Sequence, residues 1–183
     1  MSIEKNHVHP VPQRMKKQII LVGLCLLTAC ARTQPEPPKT ENEPPPIKSV
    51  DVVKVMPQEI TLAPGESGDM LVQLQIANGY HVNANPPSQS YLKPTEIELK
   101  AAEGISIEFI TYPDPLLKTF SFSEGKPLKV YEGETNLKVT LKARKTAKPG
   151  KHNLSAKLRV QACDDRVCYA PGERDLTVAV IVK

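Results

Sequence analysis

From residue 50 onward, apolar and polar residues alternate along the chain. Leu154, Ala156, Leu158, Val160 and Ala162 interleave with Ser155, Lys157, Arg159 and Gln161. Leu137, Val139, Leu141 and Ala143 interleave with Lys138, Thr140, Lys142 and Arg144, and Leu176, Val178, Val180 and Val182 repeat the pattern near the end. A period of two marks a half-buried strand, because successive side chains point to opposite faces. Similar short segments fall near 50–56, 59–63, 69–77, 79–83, 95–100, 105–111 and 128–132. Residues 96–103 also suit a helical turn, but the alternation Glu96-Ile97-Glu98-Leu99 and the following Gly104 favour strand. Pro64-Gly65, Asn78-Gly79, Pro86-Pro87 and Pro149-Gly150 punctuate the runs. Many short strands separated by turn residues predict an all-β antiparallel sandwich over residues 49–183. The chain has no tryptophan, and no cysteine pair is spaced to bridge two distant strands, so an antibody-type domain is not expected.

Upstream the pattern changes. Met15-Lys16-Lys17 precedes an apolar run from Ile19 to Leu27, which ends in Thr28-Ala29-Cys30. A basic start, a short apolar core and small residues before a cut site make a secretory signal over residues 1–29. Met15 is an alternative start to Met1. Leu27-Thr28-Ala29-Cys30 resembles a bacterial lipobox, in which the cysteine takes lipid and becomes the first residue. Cys30 is therefore the expected lipidation site, and Ala31 beside it points to the outer membrane. Residues 30–48 follow as a tether, with Pro35, Pro37, Pro38, Pro44, Pro45 and Pro46 among polar residues. Such a segment favours extended polyproline II and reaches on the order of 50 Å.

The leader also explains the charge. The whole chain carries +4, but residues 1–29 hold Lys5, Arg14, Lys16 and Lys17 against Glu4 alone. The remainder has 20 basic against 19 acidic residues. Nothing there makes the clustered basic footprint of a nucleic-acid binder, and nothing points to a small-molecule substrate. No apolar run approaches the roughly 18 residues that span a bilayer. Of the four cysteines, Cys25 leaves with the leader and Cys30 carries lipid. Cys163 and Cys168 remain, in an exported compartment where disulfides persist.

Cys163-Asp164-Asp165-Arg166-Val167-Cys168 reads as a hairpin tip, with one cysteine ending a strand and the other opening the return. Opposed residues in such a hairpin sit about 4.5 or 5.5 Å apart at Cα, within disulfide reach. Counting on from Ser155 to Gln161 puts Cys163 on the face away from the core, so the pair is expected to be accessible to solvent. Two roles stay open. Exported cystines are commonly structural staples, yet a six-residue ring removes only about 2 kcal/mol of unfolded-state entropy. Small exposed rings are the ones more easily reduced. A metal site is disfavoured, since no second ligand pair completes four-coordination. Asp164 and Asp165 read as a solvated polar turn that raises the thiol pKa, against Arg166, which lowers it.

Several stretches together resemble one family. Gln161-Ala162-Cys163, the acidic loop, Cys168-Tyr169-Ala170-Pro171 and the strand Asp175–Val182 look like the active-site hairpin of the N-terminal periplasmic domain of the thiol:disulfide interchange protein DsbD. Asn78-Gly79-Tyr80-His81-Val82-Asn83 and Val130-Tyr131-Glu132-Gly133 extend the likeness. The resemblance implies an immunoglobulin-like sandwich on the periplasmic side of the envelope, passing electrons to oxidised exported thiol proteins. It implies Cys168 as nucleophile and Cys163 as resolving partner, with Phe122, near Phe120, as an aromatic cap. Tyr80, His81 and Asn83 would line the site, although a histidine on a half-exposed strand is more often a surface residue. The phenylalanines suit a core as well as a cap, and His152 reads as a loop residue. Exchange between thiols and disulfides needs no cofactor. The transmembrane and thioredoxin-like domains that follow in DsbD do not follow Lys183 here, so the electron donor is expected to be a separate membrane protein. The competing reading is a non-enzymatic envelope lipoprotein that binds a protein partner, its cystine only bracing a hairpin.

Overall fold

A computed structural model describes residues 46–183; the expected leader, Cys30 and the prolines up to Pro45 lie outside the described residues. Along the chain, β1 (Val53–Pro57), β2 (Ile60–Leu62) and β3 (Ser67–Ile76) precede β4 (His81–Asn83), β5 (Glu96–Leu99), β6 (Ile105–Thr111) and β7 (Leu116–Lys118). After a 3₁₀ turn at Ser121–Ser123 come β8 (Leu128–Tyr131), β9 (Glu134–Ala143), β10 (Gly150–Val160), β11 (Ala162–Cys163) and β12 (Gly172–Val182).

Two four-stranded sheets, ordered β1-β3-β9-β6 and β2-β12-β10-β5, face each other. Val72, Leu74, Leu137, Val139 and Leu141 of the first meet Leu154, Leu158, Val178 and Val180 of the second in one continuous core. Each such side chain contributes about 1.5–3 kcal/mol on full burial, which is why the alternating runs settle as strands. The result is the antiparallel sandwich that the alternation predicts, of the immunoglobulin-like form that the family resemblance implies. Residues 96–99 are strand, not helix. Pairing is antiparallel except where β2 runs parallel to β12, Ile60 opposite Val180. The N-terminal strand thus divides between the sheets, and Gly68 makes room for it: a Cβ there would lie 2.7 Å from Leu62 Cδ2.

A third sheet, β11-β4-β8-β7, carries the functional interest. β3 turns into β4 at Asn78-Gly79, where Gly79 takes φ +82°, a conformation that costs glycine little. β10 continues into β11 after a single residue, Gln161, and β4 pairs with β11. Both large sheets therefore feed the third at the same end of the sandwich. One local expectation needs correction, and one strand was not foreseen. His152 lies in β10 rather than a loop, its ring Nε2 2.8 Å from the Lys148 carbonyl oxygen. Leu116–Lys118, which has no alternation, forms an exposed edge strand because β8 supplies a partner through Leu116↔Val130 and Lys118↔Leu128.

Candidate functional site

The site begins where β10 changes sheets. β11 sets Ala162 opposite Val82 and Cys163 opposite His81. Alternation carries through the switch. Ala162, Val82 and Tyr131 point into the sandwich core, so Cys163 and His81 share the opposite face. Two side chains secure the crossing. Gln161 Oε1 accepts from Asn83 Nδ2 (3.1 Å) and the Lys93 amide (2.8 Å), while Gln161 Nε2 donates to the Tyr169 carbonyl (3.3 Å). The Ser49 hydroxyl donates to the Ala170 carbonyl (2.6 Å) and accepts from the Ala162 amide (3.0 Å).

That opposite face is not solvent. The 3₁₀ turn lays Phe120 on it, stacked on the His81 ring at a centroid distance of 3.9 Å and an angle of 12°. Phe122 continues the stack 5.5 Å from Phe120. Phe120 packs with Leu92, Leu128 and Val130, and Phe122 and Cys168 close the margin of this second cluster. The segment is shaped locally: Ser123 Oγ accepts from the Phe120 amide and donates to the Phe120 carbonyl. Glu124 and Gly125 then reverse the chain at φ 51° and 76°. Ser121 Oγ donates to the Asp165 carbonyl at 2.5 Å, tying this cap to the cysteine turn.

Beneath the cap, Cys163 and Cys168 form a disulfide with a Cα separation of 3.9 Å, closer than either spacing expected of a hairpin. The expected accessibility is corrected as well: Cys163 has no exposed surface, and Cys168 is half-buried. The face was inferred correctly, but the cap covers it. Cys168 pairs with Cys163 through an isolated bridge, and the return strand starts only at Gly172.

The loop between the cysteines is organised by Asp164. Its Oδ1 accepts from the amides of Arg166 and Val167, both at 2.8 Å, and its Oδ2 from the Tyr169 hydroxyl at 2.7 Å. The Tyr169 bond, followed by the two amides, holds the Asp164 carboxyl below the usual carboxylate range. The same bond pushes the Tyr169 phenol up to about 12. Tyr169 also leans against Tyr80, with ring centroids 6.1 Å apart.

His81 is buried, not a surface residue, at 2 % exposure. Burial lowers its pKa, opposed by Glu132, Asp165 and Asp164, so the ring is neutral at neutral pH. Its Nε2 and Asn83 Oδ1 are the two buried side-chain atoms among the described residues without a hydrogen-bond partner. Among these residues no group of three or more His, Cys, Asp or Glu side chains is set to hold a metal ion.

A family model described as the N-terminal domain of the thiol:disulfide interchange protein DsbD matches residues 50–179. The chain belongs to this DsbD N-terminal family. No curated protein matches it. Among solved structures, the N-terminal periplasmic domain of ScsB from Proteus mirabilis is similar at 18 % identity and a TM-score of 0.48. That match covers 68 % of this chain and 44 % of the other, so the chain spans less than half of the ScsB domain's length. A type I cohesin of ScaB from Pseudobacteroides cellulosolvens is similar at 9 % identity and a TM-score of 0.44, covering 72 % of this chain and 92 % of the other.

In this DsbD N-terminal domain, Phe120, Phe122, His81 and the two cysteines come together around one face of the third sheet. Asn83 serves the scaffold, its Nδ2 bonding Gln161 and the Lys93 carbonyl, and Tyr80 reaches the site through Tyr169. Sequence reasoning did not find Ser49, Leu92, Gln161 or Ser121 as site-forming. Gln161 carried a signal, being the last polar position before the cysteine; the others sit in segments without periodicity.

Proposed function

We propose that this protein is an exported, lipid-anchored thiol–disulfide exchange module, held to the membrane through Cys30. A separate membrane protein would supply electrons, and oxidised exported thiol proteins would receive them. The reading is supported chiefly by the asymmetry of the pair: Cys168 is half-buried at the margin of the cap, whereas Cys163 is fully buried beneath it. In the reducing half, a donor thiolate attacks Cys168 Sγ. The Cys163–Cys168 bond breaks, and Cys163 leaves with its electron pair. A second donor thiol then displaces Cys168, so the donor is oxidised and the pair holds two more electrons. In the delivering half, the Cys168 thiolate attacks a substrate disulfide and one substrate sulfur leaves as thiolate. Cys163 then attacks Cys168, restoring the disulfide and releasing the second substrate thiol. Nothing beyond sulfur and protons is required.

Trapping tests this. Cys163→Ser leaves Cys168 able to attack but removes the resolving thiol. A mixed disulfide with an exported thiol protein should accumulate on non-reducing gels, and Cys168→Ser should trap far less. The adduct should fractionate with membranes and become soluble when Cys30→Ser is added. If neither cysteine variant traps a partner while both destabilise the domain, the pair is a staple. Adduct that stays membrane-bound in Cys30→Ser rules out the anchor.

A further inference from the structure

We infer that His81 is the proton acceptor for Cys163 at the step where Cys163 resolves a mixed disulfide; the inference rests on the exchange reading above. The two residues are cross-strand partners on one face of the third sheet, where side chains of an antiparallel pair are nearest neighbours. Both are buried. Phe120 seals the imidazole from the other side.

A buried ring nitrogen without a partner is costly and calls for an explanation. His81 Nε2 is such an atom, and the redox state of the pair explains it. In the disulfide, Cys163 has no proton to donate. Once the pair is reduced, Cys163 carries an S–H on the face it shares with His81. With the ring proton on Nδ1, Nε2 offers a lone pair to that thiol. Burial keeps the ring neutral, and therefore able to accept.

The step is balanced. With a substrate sulfur bonded to Cys168, the Cys163 thiol gives its proton to His81 Nε2. The resulting thiolate attacks Cys168 Sγ; the Cys163–Cys168 bond forms and the Cys168–substrate bond breaks. The substrate sulfur departs with the bonding pair, and the imidazolium proton passes to it. An unassisted thiol in apolar surroundings ionises reluctantly, so resolution without a base would be slow at neutral pH. Glu132 after β8 and Asp164 and Asp165 in the cysteine turn favour the imidazolium, Lys118 on β7 opposes it, and the Phe120–Phe122 cap adds no titratable group. Lys118 and Glu132 pair with each other, and Glu132 is the largest of the supporting charges, ahead of Asp165 and Asp164.

The test uses the reduced protein with Cys25 and Cys30 replaced by serine, mixed with dithiobis(nitrobenzoate) in a stopped-flow instrument. The first chromophore release reports attack by Cys168, and the second reports resolution by Cys163. His81→Phe keeps an aromatic ring against Phe120, and His81→Gln keeps a polar side chain without a base. Both should slow the second phase at pH 7 by at least about a hundredfold, the low end of the usual contribution of a general base. The first phase should change by less than about threefold, and the pH profile of the second should move toward that of an unassisted thiol. An unchanged second phase in folded His81→Gln overturns the inference, as does equal slowing of both phases. A wild-type protein that releases no second chromophore would overturn the exchange reading itself.

Discussion

Asp164 shows how one side chain in the cysteine loop does more than solvate a turn. Its carboxylate closes the loop on two backbone amides and takes a third hydrogen bond from Tyr169. The pH consequences follow from the directions of the shifts. The depressed Asp164 pKa means that its contribution is present above the unfolded value near 4 and is lost as pH falls through the folded value. The phenol is raised, so the contribution of Tyr169 is present below about 10 and is lost as pH climbs toward about 12. An ultraviolet titration of the tyrosines should therefore show one group ionising near 12 in the wild type. In Asp164→Ala that group should fall back toward the others, with a loss of about 1–2 kcal/mol of stability from the abandoned amides. An unmoved titration would mean that Tyr169 does not depend on Asp164.

At the scale of elements, the third sheet is a shared layer: Val82, Ala162 and Tyr131 belong to the sandwich core, while Val130 and Leu128 belong to the cap cluster. This explains what alternation made legible and what it concealed. The long strands β9, β10 and β12 have one face in the core and one in water, so a period of two located them directly. The same period placed Cys163 correctly on the non-core face, and equating that face with solvent was the error. The phenylalanines that cover it come from the 3₁₀ turn and the residue before it, about 40 positions from either partner and without periodicity. Phe120 and Phe122, equally suited to core or cap on sequence, divide the work: Phe120 is buried and Phe122 is half-buried beside Cys168. Phe122→Ala should speed alkylation of the reduced thiols severalfold with little loss of stability, whereas Phe120→Ala should cost about 3 kcal/mol. Alkylation no faster in Phe122→Ala than in wild type would show that the ring does not shield the pair.

Over the whole molecule, the continuous core between two large sheets carries the fold, and the cystine sits at one end of it. A ring this small constrains the unfolded chain by only about 2 kcal/mol, so the proposed exchange role predicts a domain that stays folded when the pair is reduced. The fold class was legible because many strands voted for it together. The site was legible in its cysteines and aromatic residues but not in its supports, because Ser49, Gln161 and Ser121 act through contacts between segments distant in sequence. The most direct measurement is the reduction potential of the Cys163–Cys168 pair, equilibrated against glutathione or dithiothreitol buffers. An exchange module predicts a value above about −300 mV, with the reduced domain still folded; a value well below that, typical of structural disulfides, would contradict the account.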